Sequence, residues 1–244
     1  MSITLDKTAR EIATEDPSAI SVFETLGIDY CWGGRKSLEQ ACADLHLGVN
    51  EVLQKLEEAA TVNNPPDCTN WQTASLSELT QYIVSNHHKY VRQELVRLEG
   101  LCEKVGNKHG HAQPELKRIA ALFLTMRDEL SMHMTKEEQV LFPYIARLER
   151  AVQAQQPAPQ APFGTVANPI RVMVEEHDDA GSLMTTIRKL SNDYNAPAGA
   201  CISYHAFYGG LKDFERDLHQ HVHLENNILF RRALALEEQS SANQ

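Results

Sequence analysis

The sequence lacks any long hydrophobic run. Its longest uninterrupted apolar stretch, residues 119–124, has six residues, whereas a membrane-spanning helix needs about 20. The first 17 residues carry acidic side chains and no apolar core of the length found in a secretory signal. We therefore expect neither a transmembrane segment nor export by a standard signal, and we predict a cytoplasmic protein.

Positive charge is also scarce. Lys and Arg total 23 against 33 Asp and Glu, which gives a formal net charge of −10. Nucleic-acid and anionic-membrane binding require a basic face, so neither partner is expected. The five cysteines are scattered and never spaced as Cys-x-x-Cys, a usage typical of reduced chains rather than disulfide scaffolds. The count that stands out is eleven histidines.

Strand-like alternation is absent as well, and glycine and proline lie mostly between helical stretches. The predicted fold class is therefore all-α. Residues 1–62 are expected to form a small domain of four short helices, with Gly27 as a stop signal and Ser37 as a start signal. Between these two signals, residues 29–34 are predicted to form a tight non-helical turn because of their glycine pair.

A proline pair marks an interdomain linker, predicted over residues 63–74. Beyond it, residues 75–238 contain four long helical patterns, which predict an antiparallel four-helix bundle. The expected helices span roughly 75–106, 114–150, 168–194 and 197–238. The last helix is expected to break at Gly209-Gly210.

Core-facing positions of a bundle helix recur at alternating steps of three and four residues. Each of the four apolar stripes found in this way includes one histidine, and on two of them a glutamate follows one turn later. The polar residues on the stripes are His88, His133, Glu137, His177, His221 and Glu225. Since an i,i+4 pair lies on one helical face, each His-x-x-x-Glu can address a single centre.

These core-facing polar residues point to bound metal. A buried unpaired carboxylate is expensive, and imidazole with carboxylate suits iron, among other transition metals. The set fits two ions, each held by two histidines and sharing both glutamates, with open positions for a small molecule. The segments that begin at His133 and His221 resemble each other, and the preceding histidines lie 133 − 88 = 45 and 221 − 177 = 44 residues earlier. This duplication predicts a nearly symmetric two-metal site.

The other histidines have plainer interpretations. His219 and His223 point away from the stripe of His221 and are expected to be solvated. His87 is off its stripe by one residue. A metal-free helical interaction module, in which the stripe histidines are hydrogen-bonded core residues, is the alternative to the metal site.

Four motifs resemble those of a known family. They are Asp29-Tyr30-Cys31-x-Gly33-Gly34, His133-x-x-x-Glu137-Glu138-Gln139-x-Leu141-Phe142-Pro143, Glu176-His177-Asp178-x-Ala180-Gly181 and His221-x-x-Leu224-Glu225-Asn226-Asn227-x-Leu229-Phe230. In combination they resemble the repair-of-iron-centres proteins, the YtfE, ScdA, DnrN or NorA group. The resemblance implies a small N-terminal ScdA-type domain followed by a hemerythrin-like four-helix bundle. It also implies two non-haem iron ions (Fe2+/Fe3+), with an oxo or hydroxo bridge as one form.

The resemblance further implies that the six stripe residues are the iron ligands. Members are cytoplasmic bacterial proteins of the nitrosative and oxidative stress response, associated with restoring damaged iron–sulfur clusters and with binding or reducing nitric oxide. The implied partners are nitric oxide or dioxygen as small ligand and iron–sulfur proteins as repair clients. Two functions are compatible with this resemblance: turnover of nitric oxide to nitrous oxide, and binding without turnover, as a gas sink or an iron donor. A monomer and a homodimer are both compatible with it as well.

One residue departs from the family pattern. The turn usually reads Tyr-Cys-Cys-Gly-Gly, and here Trp32 replaces the second cysteine. A role that needs two vicinal thiols is therefore excluded in this turn. For Cys31 alone, a single-thiol role such as S-nitrosothiol formation or metal delivery and simple packing are both open. The departure favours a nitric-oxide-binding member of the family.

Overall fold

The computed structural model describes residues 3–32, 34–62 and 69–242. Within these ranges the chain is helical with short connections, and its one β pairing is an isolated bridge between Thr8 and Ser37, so the all-α prediction is confirmed. None of the helices in this part of the chain is long and apolar enough to cross a membrane. Residues 63–68 of the predicted linker and Gly33 of the predicted turn lie outside the described residues.

Residues 3–62 form four short helices with their own apolar core, as far as the structure describes them. The helices are α1 (Ala9–Glu15), α2 (Ser18–Leu26), α3 (Leu38–Asp44) and α4 (Val49–Val62). Gly27 ends α2 with a left-handed φ of 71°, and the Ser37 side chain accepts a hydrogen bond from the Gln40 amide at the start of α3. Both sequence signals therefore act as predicted. Phe23, Leu38 and Leu56 are among the buried side chains of this core.

Residues 76–242 form a bundle of four long helices, three of which contain a π-helical segment. The first consists of α5 (Leu76–Ile83), the π segment Val84–His88 and α6 (Lys89–His109). The second consists of α7 (Glu115–Lys136), the π segment Glu137–Leu141 and α8 (Phe142–Gln153). The third is α9 (Ala167–Leu190). The fourth consists of α10 (Ile202–His223), the π segment Leu224–Leu229 and α11 (Phe230–Ala242).

Consecutive bundle helices run antiparallel. At the start of the first helix, α5 packs against α8 at the end of the second, while α6 packs against α7. The fourth helix returns along the first, because α10 packs against α6. The predicted hemerythrin-like antiparallel four-helix architecture is thus present.

The predicted break at Gly209-Gly210 is wrong, because α10 is continuous through both residues. A Cβ atom at Gly210 would lie 2.6 Å from Cδ2 of Leu98 on α6. The glycine therefore permits the close approach of α6 and α10, and the packing between them keeps the helix regular at a residue that is intrinsically unfavourable in helices.

Two apolar layers fill the bundle. One includes the buried residues Leu98, Phe123, Met184 and Phe214, and the other includes Leu76, Ile145, Ile170 and Phe230. Along each bundle helix the predicted polar stripe residues come between these layers. The middle of the bundle is therefore polar and shielded by apolar packing on both sides.

Candidate metal centre

Each π segment coincides with a predicted ligand position. His88 ends the first segment, Glu137 begins the second and Glu225 lies in the third. A π turn adds a residue to the helical repeat and occurs frequently at functional sites. The stripes were derived with the repeat of a regular helix, so the sequence pattern did not predict these segments. One consequence is seen at Val140, three residues after Glu137, where a regular stripe would face the core: its side chain is 44% exposed, while its neighbour Leu141 is buried.

The structure brings all six predicted residues together. They form two groups, His88–Glu137–His221–Glu225 and His133–Glu137–His177–Glu225, in each of which one ligand atom per residue lies within 4.8 Å of the others. Both glutamates belong to both groups. Every one of these residues has an exposed fraction of 2% or less. Each group contains two histidines and both glutamates.

Several polar atoms of this centre are buried without a hydrogen-bond partner among the described residues. Four of them are Nε2 of His88, both carboxylate oxygens of Glu137 and Oε2 of Glu225. Oε2 of Glu137 lies 3.3 Å from Nε2 of His88 and 3.4 Å from Nε2 of His133. Each unsatisfied buried group costs about 1–3 kcal/mol, and a cation in each group would satisfy these atoms. The donor set of imidazoles and carboxylates therefore fits two first-row transition-metal ions.

The charges of the centre balance in pairs. Burial lowers the pKa of His88 and of His133, but Glu137 and Glu225 oppose this effect and raise both pKa values to about 10. Burial raises the pKa of Glu225, but His221 and two further histidines lower it well below its ordinary value. Two carboxylates thus face two imidazolium rings. A metal ion that binds here must displace protons from His88 and His133.

In three of the four histidines, a polar side chain contacts Nδ1, the ring nitrogen on the far side from Nε2. Oε1 of Glu138 lies 2.6 Å from Nδ1 of His88, Oε2 of Glu176 lies 2.9 Å from Nδ1 of His133, and Oδ1 of Asn226 lies 3.0 Å from Nδ1 of His177. Such contacts fix the ring and its tautomer and leave Nε2 for a metal. These three residues are off the apolar stripes, so helical periodicity predicts no role for them. The available signal was that each one directly adjoins a stripe residue in the chain.

The prediction that His219 and His223 are solvated is wrong. His223 is 1% exposed and meets the ring of Tyr30 edge-on at 5.4 Å. The side chain of His219 is 12% exposed, and its ring lies 4.6 Å from that of Trp32. The physical reason is that the N-terminal turn covers this face of the fourth bundle helix. A helical periodicity cannot reveal that a distant segment docks there.

The same turn buries Cys31, which belongs to the apolar core of the bundle. Burial, together with Asp29, raises the pKa of the Cys31 thiol well above its ordinary value. The neighbouring Trp32 packs so closely on the third helix that a Cβ atom at Gly181 would lie 2.6 Å from its ring. Cys31 is therefore a protonated, packed thiol in this arrangement.

A pocket of about 600 Å³ lies between the turn and the bundle. Its lining includes Arg10, Trp32, Asp178 and Asn226. Because Asn226 also contacts His177, the pocket approaches the polar centre from the side of the second ligand group.

Comparisons with known proteins agree with this architecture. Residues 79–233 match the hemerythrin HHE cation binding domain, and residues 5–60 match the ScdA N-terminal domain, a domain of unknown function (DUF542). The chain is 35% identical over 229 residues to the iron-sulfur cluster repair protein YtfE of Pectobacterium atrosepticum. This alignment covers 94% of this chain and 97% of the relative. It is 37% identical over 227 residues to a probable iron-sulfur cluster repair protein of Haemophilus influenzae, with 92% and 95% covered. With its bundle matching a cation binding domain and nearly its whole length aligned to these relatives, the chain belongs to the repair-of-iron-centres (YtfE) family.

Proposed function

We propose that the six buried residues hold two iron ions and that the protein supports the repair of iron–sulfur clusters damaged by nitrosative or oxidative stress. The observation that carries this proposal is the pair of ligand groups that share Glu137 and Glu225. The match to a cation binding domain supports metal binding. The names of the relatives support the repair role.

The residues of the chain have distinct tasks in this proposal. His88 and His221 hold one ion, His133 and His177 hold the other, and the two glutamates join both groups. When bound, two ferrous ions supply open coordination positions for a small ligand and electrons for its reduction. The apolar layers on either side keep bulk water away from the centre. We propose nitric oxide as the ligand, with dioxygen as the alternative, because both are small and uncharged and suit a buried site.

Reduction of nitric oxide and binding without turnover are distinguished by one gas measurement. Reduction joins two nitric oxide molecules, two protons and two electrons into nitrous oxide and water. Nitric oxide is added to the reduced, iron-loaded protein, and nitrous oxide is quantified in the headspace. Release of nitrous oxide makes the protein an enzyme, whereas uptake of nitric oxide without this product makes it a gas sink or an iron donor. Glu137→Gln should abolish either response, and His205→Ala, at an exposed position on α10, should retain it.

Repair is tested separately, with an iron–sulfur dehydratase whose cluster has been damaged by nitric oxide. The wild-type protein should restore its activity, and variants of the six buried residues should not. Cys31→Ser should keep iron content and nitric oxide binding, because Cys31 is outside both ligand groups. A selective loss of repair in this variant would establish a single-thiol role, and unchanged repair would assign Cys31 to packing. We place the protein in the cytoplasm, with iron–sulfur proteins as clients and neither nucleic acid nor membrane as a partner. Analytical sedimentation distinguishes the two candidate oligomeric states, monomer and homodimer.

A further inference from the structure

His221 differs from the other three histidines of the centre. Each of the others has a carboxylate or amide oxygen within 3.0 Å of Nδ1. Nδ1 of His221 is buried and has no hydrogen-bond partner among the described residues. Its Nε2 contacts Oε1 of Glu225 at 2.9 Å. The ring of His221 therefore needs another source of orientation.

That source is a ring next to it in space. His87 is 5% exposed, and its ring is nearly parallel to that of His221, with an interplanar angle of 6° and a centroid distance of 5.5 Å. His88 approaches the same ring edge-on at 4.9 Å. Two successive residues of the first bundle helix thus contact one ring of the fourth. Both lie in the π segment Val84–His88, whose irregular turn buries them together.

His87 is itself held by Asp217. Nδ1 of His87 lies 3.0 Å from Oδ1 of Asp217, and since a carboxylate only accepts, the imidazole N–H donates. Asp217 precedes His221 by one turn of α10, so the two residues share a helical face. The contact joins the first and fourth bundle helices immediately beside the ligand group of His88 and His221. Neither His87 nor Asp217 belongs to a ligand group.

We propose that His87 and Asp217 form a positioning pair for His221, a role that rests on the proposed metal centre. The pair substitutes ring packing for the hydrogen bond that the other three histidines receive. It acts on one of the two ligand groups only. The ion held by His88 and His221 should therefore depend on His87, and the ion held by His133 and His177 should not.

The test is a titration of the full-length protein, stripped of metal by a chelator, with Co2+, whose visible spectrum reports ligand geometry. The wild-type chain should take up two ions. His87→Ala should weaken the uptake of one ion by about 10–100-fold, the usual effect of losing a residue that orients a ligand, and shift the spectrum of that ion alone. His205→Ala, an exposed histidine on α10, is the matched control and should change neither step.

Two conservative variants separate the contributions and carry the test if His87→Ala does not fold. His87→Phe keeps a ring against His221 without a donor, and His87→Gln keeps a donor for Asp217 without a ring. Each should restore part of the lost affinity, which a general loss of stability would not allow. Equal weakening of both steps, or no change in either, would overturn the proposal. Failure of the wild-type chain to take up any Co2+ would instead defeat the metal centre itself.

Discussion

The carboxylate of Glu138 lies 2.6 Å from Nδ1 of His88, while the adjacent Glu137 faces the opposite nitrogen of the same ring at 3.3 Å. Two successive carboxylates of the second bundle helix therefore address the two sides of one imidazole. One of them is shared by both ligand groups, and the other only orients the ring. This difference leads to a direct comparison of neighbouring residues.

Glu137→Gln and Glu138→Gln should have effects of different kinds. Glu137 contributes to both groups, so its replacement should impair the uptake of both ions. Glu138 contacts His88 alone among the four histidines. Glu138→Gln should therefore weaken the binding of one ion by about 10–100-fold. Iron content per chain and a chelator competition provide the measurement. Equal losses in the two variants would contradict the division of roles.

As the pH rises, the stability of the metal-free protein should fall, whereas its apparent affinity for metal should rise. The pKa of His88 and of His133 is about 10 in the folded chain, against about 6.5 in an unfolded chain. In chelator-stripped protein, the stability that these groups contribute is complete below pH 6.5 and is lost as the pH rises through 10. Metal competes with the same protons, so its apparent affinity should rise over this range, by about one decade per pH unit for each ion, because each ligand group contains one of the two histidines.

Urea unfolding of the stripped protein and metal competition, each at pH 7 and 9.5, measure these two trends. The stripped protein should unfold at a lower urea concentration at pH 9.5. A midpoint that is independent of pH would show that the carboxylates do not hold protons on the histidines.

The contact between Trp32 and Gly181 should behave as a coupled pair. Gly181→Ala inserts a methyl group 2.6 Å from the Trp32 ring, and overpacking of this kind costs about 1–3 kcal/mol. In a Trp32→Ala background the same substitution should be neutral or stabilising, because the clash is gone and alanine favours a helix. Gly209→Ala, where nothing lies within 4 Å, is the control and should be mildly stabilising. Additive free energies of unfolding in the double variant would exclude the contact.

Among the cysteines that the structure describes, Cys201 should have the most reactive thiol. Nε2 of His109 lies 3.1 Å from its sulfur, and this contact, with backbone amides at the start of α10, lowers the pKa of Cys201 to about 7. Burial raises the pKa of Cys102 to about 11 and that of Cys31 well above its ordinary value. Iodoacetamide should therefore label Cys201 first at pH 7, in a Cys68→Ser background.

The matched variant for this prediction is His109→Ala, which should move the midpoint of the labelling rate to higher pH. Labelling of Cys31 in the folded protein at a rate similar to that of Cys201 would show that the N-terminal turn opens.

The domain division predicts that residues 75–238 fold and bind metal without residues 1–62. The two parts have largely separate apolar cores. Removal of the N-terminal part uncovers His219 and His223, so we expect the fragment to keep its helical content and metal and to self-associate more readily. Circular dichroism, metal content and sedimentation check this. A fragment obtained only as an aggregate would show that the docking of the turn is obligatory.

The cluster of six buried polar side chains could be predicted from the sequence because helical periodicity is a local property. A histidine or glutamate on an apolar stripe faces the core whatever the neighbouring helices are, and buried charge needs a counter-charge. The same periodicity could not reveal the π segments at His88, Glu137 and Glu225. A π turn has no distinct sequence signature here and is stabilised by the contacts that surround it.

The surroundings of the centre were decided by tertiary structure. His223 is buried because Tyr30, almost two hundred residues earlier in the chain, docks on it, and His87 is oriented by Asp217 on another helix. Such contacts join residues whose own segments give no sign of each other. The sequence by itself determined that six polar side chains lie on the core-facing stripes of the four bundle helices. Only the packing of the helices and of the N-terminal turn determined which side chains hold those residues in place.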